Sequence, residues 1–193
     1  MKAGEQGMIC PQIPEEFGAF GGDYRYNSIV TEEIGRAGVS GLTGFLMHSD
    51  IVCEYILHYG SPAQKAKYLP AMVRGVMIGA LAMSEPGAGS DVKAIKTCAI
   101  DQGDHYLLSG SKTFITNGFT SDLVVVAAKT DSKAAGAKGV SLLIVEAGMP
   151  GFEKGQKLHK AGSHACDTAE LFSRTSRFPK RTCWARRTRG STT

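Results

Sequence analysis

Leu81-Ala82-Met83-Ser84-Glu85-Pro86-Gly87-Ala88-Gly89-Ser90-Asp91 is an apolar, strand-like approach that runs into a loop of proline and small residues. Gly87 and Gly89 permit positive φ and let a ligand come close to the main chain. Their N–H groups are able to converge on an anion or a ring acceptor atom, and Ser84 and Ser90 add hydroxyls. The same letters also fit an ordinary glycine-rich turn. A second informative stretch follows, Gly110-Ser111-Lys112-Thr113-Phe114-Ile115-Thr116-Asn117-Gly118. Phe114 and Thr116 are two apart and so lie on one side of a strand, a flat ring beside a hydroxyl. Read alone, this is equally a half-buried strand ending in an Asn-Gly turn.

Working outward, the pattern changes near Ile78. Before it, the spacing predicts helices over residues 24–36, 41–59 and 62–73. In the first of these Ile29, Val30, Ile34 and Ala37 form the apolar face, and Glu32 and Glu33 lie opposite. Ser61 reads as the N-cap of the third, with Pro62 at its first position and Gly75 past its end. After Ile78 the code is strands and turns. Residues 92–100 and 105–113 flank the turn Asp101-Gln102-Gly103-Asp104. Residues 123–130 and 140–146 read as buried strands, and 157–160 and 167–172 as shorter ones. Helices followed by strands predict two segregated units and an α+β chain. No G-x-G-x-x-G opens a helix, so a Rossmann reading is poor.

Composition agrees with a folded chain. Of 193 residues, 42% are hydrophobic and 21% charged, which argues against collagen, bulk disorder and disulfide scaffolds. No apolar run is long enough to span a membrane. Residues 1–10 read as neither a signal nor a transit peptide. The five cysteines include no C-x-x-C pair, and the five histidines no H-x-x-x-H. Neither a zinc site nor a disulfide framework is therefore expected, and a reducing compartment is. The net charge of +4 hides an uneven distribution: residues 173–193 hold seven basic groups and no acid, while the rest is mildly acidic.

Together the two opening stretches resemble the acyl-CoA dehydrogenase family. The likeness covers residues 8–172 in one order. It includes Pro14-Glu15-Glu16-Phe17-Gly18, Glu32-Glu33 with Arg36, His58-Tyr59-Gly60-Ser61, Tyr68-Leu69-Pro70, Gly151-Phe152, Leu158-His159-Lys160 and Asp167-Thr168-Ala169-Glu170-Leu171-Phe172. The last two segments look most like the long-chain branch. The resemblance implies an N-terminal α-helical remnant (1–76) followed by an antiparallel β-barrel-like or sandwich middle domain (77–172). It implies FAD-dependent removal of two hydrogens across Cα–Cβ of an acyl-CoA, with electrons passed to electron-transfer flavoprotein. Carried over by position, Leu81, Ala82, Met83, Ser84, Glu85, Pro86, Gly87, Ala88, Gly89 and Ser90 would line the flavin, with Phe114, Ile115 and Thr116 as a second wall. Phe114 stands where Trp is commoner. Ser90, Ala137 and Lys138 would contact substrate.

The resemblance also shows what is not matched. Family members run to nearly twice this length, and the part that supplies the catalytic glutamate, further flavin contacts and the subunit interface has no counterpart. No catalytic residue is assigned, turnover is not expected, and the family's homotetramer is not expected for this fragment. After Phe172 the family's continuation gives way to Ser173-Arg174-Thr175-Ser176 and a basic, Ser/Thr-rich tail. Back-translated and shifted by one base, codons for this tail permit Phe-Glu-Asp-Val, then x-Leu-Pro-Lys-Glu-Asn-Leu-Leu-Gly, which is the family's wording. We therefore read 173–193 as out of frame and expect it to be disordered. A basic arm binding nucleic acid is the rival reading of the tail. A non-catalytic flavin- or CoA-binding module is the rival reading of the body. With no targeting segment read, the bacterial cytoplasm is expected, the mitochondrial matrix being the alternative.

Overall fold

The computed structural model describes residues 2–134 and 136–180, together with the backbone of 183–184. A short helix α1 (Lys2–Glu5) and a turn-rich segment lead to α2 (Tyr24–Arg36). Next comes one continuous rod built of α3 (Thr43–Leu46), a π-helical turn (Met47–Val52) and α4 (Cys53–Tyr59). Helix α5 (Pro62–Val73) opens on a capping box, in which Ser61 Oγ accepts from Gln64 N–H and the Gln64 side chain returns to the Ser61 N–H. The expected cap is therefore present with its reciprocal partner.

Eight strands follow among the described residues: β1 (Gly79–Ala82), β2 (Cys98–Asp101), β3 (His105–Thr116), β4 (Leu123–Lys129), β5 (Val140–Glu146), β6 (Phe152–Lys157), β7 (Thr168–Pro179) and β8 (Cys183–Trp184). They form a curled, mostly antiparallel sheet in the order β6-β7-β3-β2-β4-β5-β8. The fold is thus α+β, as read from the sequence. Two pairings depart from the antiparallel expectation: β1 lies parallel to β4, with Gly79 opposite Leu123, and β2 meets β4 in parallel at Cys98 and Lys129. Two strand positions also differ. Residues 92–94 are a 3-10 turn before β2, and the strand expected at 157–160 lies earlier, at β6.

Strand β4 explains how the two units join. Its side chains alternate between two cores, so its letters read as unbroken hydrophobicity. Leu123 and Val125 pack with Ile9, Ile13, Val52, Ile56, Leu69 and Met72 on the helical side. Val124 and Val126 pack with Leu108, Ile115, Leu143 and Phe178 on the other. The Glu146 carboxylate, at the end of β5, accepts from Tyr68 Oη at 2.8 Å and Lys67 Nζ at 2.6 Å, both on α5.

Helix α2 departs from its reading. It forms over the expected residues, but Asn27 is its one buried residue, and Ile29 on the expected apolar face is 59% exposed. The helix is held instead by Asn27 Nδ2, which donates to Gln12 Oε1 and Asp50 Oδ1. The tail also departs from expectation. Strand β7 continues past Phe172 to Pro179, pairing with β3. Ser173, Ser176 and Phe178 are buried, while Arg174, Thr175 and Arg177 face solvent. A bulge at Thr175 (φ 54), where the register with β3 shifts, returns the strand to the same inward face. Disorder is therefore not what 173–179 shows. The remainder of the expected disorder, beyond Lys180 and the backbone of β8, lies outside the described residues.

Candidate functional site

Both informative stretches fold against each other. The loop after β1 is bound to β3 at two points: Thr113 N–H donates to Ser84 O at 3.0 Å, and Lys112 Nζ donates to Met83 O at 3.0 Å. Glu85 lies underneath. Its carboxylate accepts from Lys96 N–H (2.6 Å), Thr97 N–H (3.0 Å) and Lys112 Nζ (2.9 Å), and both charged side chains are at most 6% exposed. Burial pushes the Glu85 carboxyl up, but these three donors outweigh it and hold it below the usual carboxylate range. Burial lowers the Lys112 ammonium, against the pull of Glu85.

This sorts the loop residues expected to line a flavin. Met83 and Ser84 are half-exposed and Pro86, Gly87, Gly89 and Ser90 are exposed, all on the open side. Leu81 is half-buried, while Ala82, Glu85 and Ala88 are buried. Glu85 is thus a strut beneath the loop. At Gly87 and Gly89 an added Cβ would meet nothing within 4 Å, so the space above both is open.

On β3 the expected two-residue alternation is interrupted. The register with β7 shifts between Lys112 and Ile115, and Phe114 sits there at φ 58. The bulge turns its ring outward, 70% exposed, while Ile115 is buried and Thr116 half-buried. Phe114 and Thr116 are therefore not related by a simple pleat. Asn117 follows at φ 62, in the expected turn. Its side chain also ties α3 to β1, since Nδ2 donates to both Gly44 O and Gly79 O. Gly44 has to be glycine, because a Cβ there would collide with Asn117 Oδ1.

A cleft of about 880 Å³ opens beside the loop. Tyr55 and Tyr59 of α4 form one wall. Met83, Ser90, Val92 and Lys93 form the floor, and Ala137 with the start of β5 forms the far side. Of the residues expected to meet substrate, Ser90 and Ala137 border this cleft and the exposed Lys138 does not. Sequence reasoning missed the two tyrosines, which no motif marks. Asp91 is the carboxylate among the lining residues, and its Oδ1 accepts Lys93 N–H at 3.1 Å, capping the 3-10 turn.

Sequence spacing also missed a buried grouping of Cys10, His48 and Cys53, drawn from three separate segments.

A helical unit packed on one face of a curled sheet, with a cleft between the two, is the architecture of the N-terminal and middle domains of acyl-CoA dehydrogenases. Residues 1–76 match the acyl-CoA dehydrogenase N-terminal domain, and residues 80–175 match the acyl-CoA dehydrogenase middle domain. The chain belongs to the acyl-CoA dehydrogenase family. It is 49% identical over 179 residues to the long-chain specific acyl-CoA dehydrogenase, mitochondrial, of Mus musculus, covering 92% of this chain and 41% of that protein. It is 47% identical over 158 residues to the mitochondrial isovaleryl-CoA dehydrogenase of Oryza sativa subsp. japonica, covering 82% of this chain and 38% of that one. Among solved structures, an acyl-CoA dehydrogenase from Geobacillus kaustophilus superposes with a TM-score of 0.92 at 48% identity, over 95% of this chain and 48% of that one. The chain thus spans about two fifths of its curated relatives and about half of its solved ones. No described helix is long and apolar enough to cross a membrane.

Proposed function

We propose that this chain provides the flavin- and thioester-facing part of an acyl-CoA dehydrogenase, the parent reaction being conversion of an acyl-CoA to its trans-2-enoyl-CoA with electrons passing to electron-transfer flavoprotein. The observation that carries this reading is the joining of the two walls through Thr113 N–H and Lys112 Nζ, with the cleft opening beside them. The residues fit an FAD: an exposed ring at Phe114, polar half-exposed positions at Ser84 and Thr116, and open backbone at Gly87 and Gly89. A flavin held there would accept the hydride that leaves Cβ. The chain's own part is to stack on the ring with Phe114, to hold the Met83 and Ser84 carbonyls in place from Lys112 Nζ and Thr113 N–H, and to exclude water from the acyl chain with Tyr55, Tyr59 and Met83.

The same geometry supports an inactive chain. Glu85 is committed to three donors and Asp91 to a cap. Neither Glu85, beneath the loop, nor Asp91, which lines the cleft, is placed to take an α proton, which needs a base within direct reach. A steady-state assay with acyl-CoA thioesters of several chain lengths and a dye acceptor should give no turnover, and measurable turnover would overturn this reading. Stoichiometric FAD surviving gel filtration without turnover would favour a non-catalytic binding module, for which the intact walls and cleft also speak. Both curated relatives named above are mitochondrial proteins, which supports the mitochondrial matrix, the alternative compartment, over the bacterial cytoplasm.

We also propose that the tail after Phe172 is translated out of frame. Three local features support this. Ser173 and Ser176 are buried, and Ser176 Oγ has no partner. Thr175, β-branched, holds φ 54, a region such residues avoid and Asp tolerates. The shifted frame puts Phe and Val at the two buried positions and Asp at the strained one. Sequencing the coding DNA across codon 172 tests it: a restored base should reopen the frame, and its absence in independent reads would refute an artefact.

A further inference from the structure

Cys10 and Cys53 are 43 residues apart in the chain, yet their Sγ atoms stand 2.9 Å apart. Both residues are fully buried. Cys10 lies on the turn-rich segment before α2, at φ 53, and its N–H donates to Ser49 Oγ at 2.9 Å. Cys53 opens α4, the helix whose Tyr55 and Tyr59 wall the cleft. With His48 the pair makes a grouping of metal-ligand type, the three ligand atoms lying within 4.8 Å of one another. The histidine is already committed. Gly79 N–H donates to its Nδ1 at 2.9 Å, so the ring proton sits on Nε2, which donates to Met72 O at 3.1 Å. A neutral imidazole used in this way has no lone pair left for a metal. What remains is two thiols facing each other.

We propose that Cys10 and Cys53 are a peroxide-responsive dithiol that closes to a disulfide and ties the N-terminal segment to the helix walling the cleft. Nothing in the reading of the cleft requires either sulfur. Burial raises the Cys53 thiol. At Cys10 burial is opposed by the hydrogen bond with Cys53 and by Ser49 beside it, and its thiol is lowered. Cys10 is therefore the nucleophile. Its thiolate attacks one oxygen of hydrogen peroxide and the O–O bond breaks, giving a sulfenic acid and hydroxide. The Cys53 sulfur then attacks the sulfenic sulfur. The S–O bond breaks, the Cys53 proton goes to the departing oxygen, and water leaves. Two thiols and one peroxide give one disulfide and two waters, the sulfurs losing the two electrons that the peroxide oxygens gain. Peroxide is small and neutral, and enters when the turn-rich segment opens locally. The bridge then closes a long loop, which restricts the unfolded chain.

The test treats the full chain with hydrogen peroxide under native conditions and maps it by non-reducing digestion and mass spectrometry. The expected result is a linked peptide pair containing Cys10 and Cys53, lighter by two hydrogens, with a higher thermal midpoint. A thiol reductant should reverse both changes. Cys10→Ser should abolish the link and leave Cys53 unmodified, whereas Cys53→Ser should leave a sulfenic acid on Cys10 that dimedone traps. Oxidation confined to Cys98, or links formed through Cys98, Cys166 or Cys183 instead, would overturn the proposal. So would stoichiometric Zn²⁺ uptake by the untreated chain that protects both thiols from alkylation.

Discussion

Glu85 shows what one residue's surroundings decide. The family resemblance put it on the expected flavin wall with the rest of residues 81–90, and a loop's letters do not say which side chains turn inward. Its partner Lys112 is 27 residues away, and only the paired strands bring them together. Glu85→Gln leaves a buried ammonium without its counter-charge and should cost about 3–5 kcal/mol, read as a lower midpoint in urea. Lys112→Met combined with Glu85→Gln should recover part of that loss. The carboxyl is held below its ordinary value in the fold, so its contribution is complete above the unfolded glutamate value of about 4.3 and is lost as pH falls through the lower folded value. The acid limb of an unfolding profile should flatten in Glu85→Gln. The same scale decides the tail. Ser173→Phe with Arg174→Glu, Thr175→Asp and Ser176→Val buries apolar surface worth roughly 1.5–3 kcal/mol at each inward position and removes a strained Thr. The thermal midpoint should rise by several degrees, and a fall would count against the shifted frame.

At the scale of elements, the order of helices and strands was legible because period and caps are local signals. The bulge in β3 was not, since it depends on the register with β7. It turns Phe114 into solvent, and the outward ring is what a flavin would stack upon. Phe114→Ala should weaken FAD binding by up to about tenfold, from an aromatic contact of about 0.5–1.5 kcal/mol, measured by quenching of flavin fluorescence. Asn117 was legible as a turn residue and illegible as a staple, because its acceptor Gly44 O lies 73 residues back. Asn117→Ala strips a donor from two buried carbonyls and should cost about 2–3 kcal/mol, a loss seen in chemical denaturation. Helix α2 shows the limit of periodicity: an apolar face can be read from spacing, but not whether anything covers it.

Across the whole molecule, the α+β class and the family were legible from the run of motifs, while the sharing of one strand between two cores was not. Because β4 belongs to both cores, helices and sheet should unfold in one transition, with far-ultraviolet and near-ultraviolet signals coinciding. The exterior carries Tyr24 at 71%, Phe20 at 61% and Ile29 at 59% exposure, together with Phe114. Side chains of this kind favour association. Sedimentation should show self-association that grows with concentration and is reduced by Ile29→Glu.

The parallel pairing of β1 with β4 also sets a timetable. A ribosome adds about 5–20 residues per second, and Gly79 meets Leu123 across 44 positions of chain. For roughly 2–9 s of synthesis at that pace, β1 has emerged and β4 has not. The helices are complete in that interval but have no sheet to pack on, and β1 presents an open edge of the kind that chaperones shield. Synonymous codons that slow translation between residues 83 and 122 should lengthen this exposure and lower the soluble yield, with no change in the protein made.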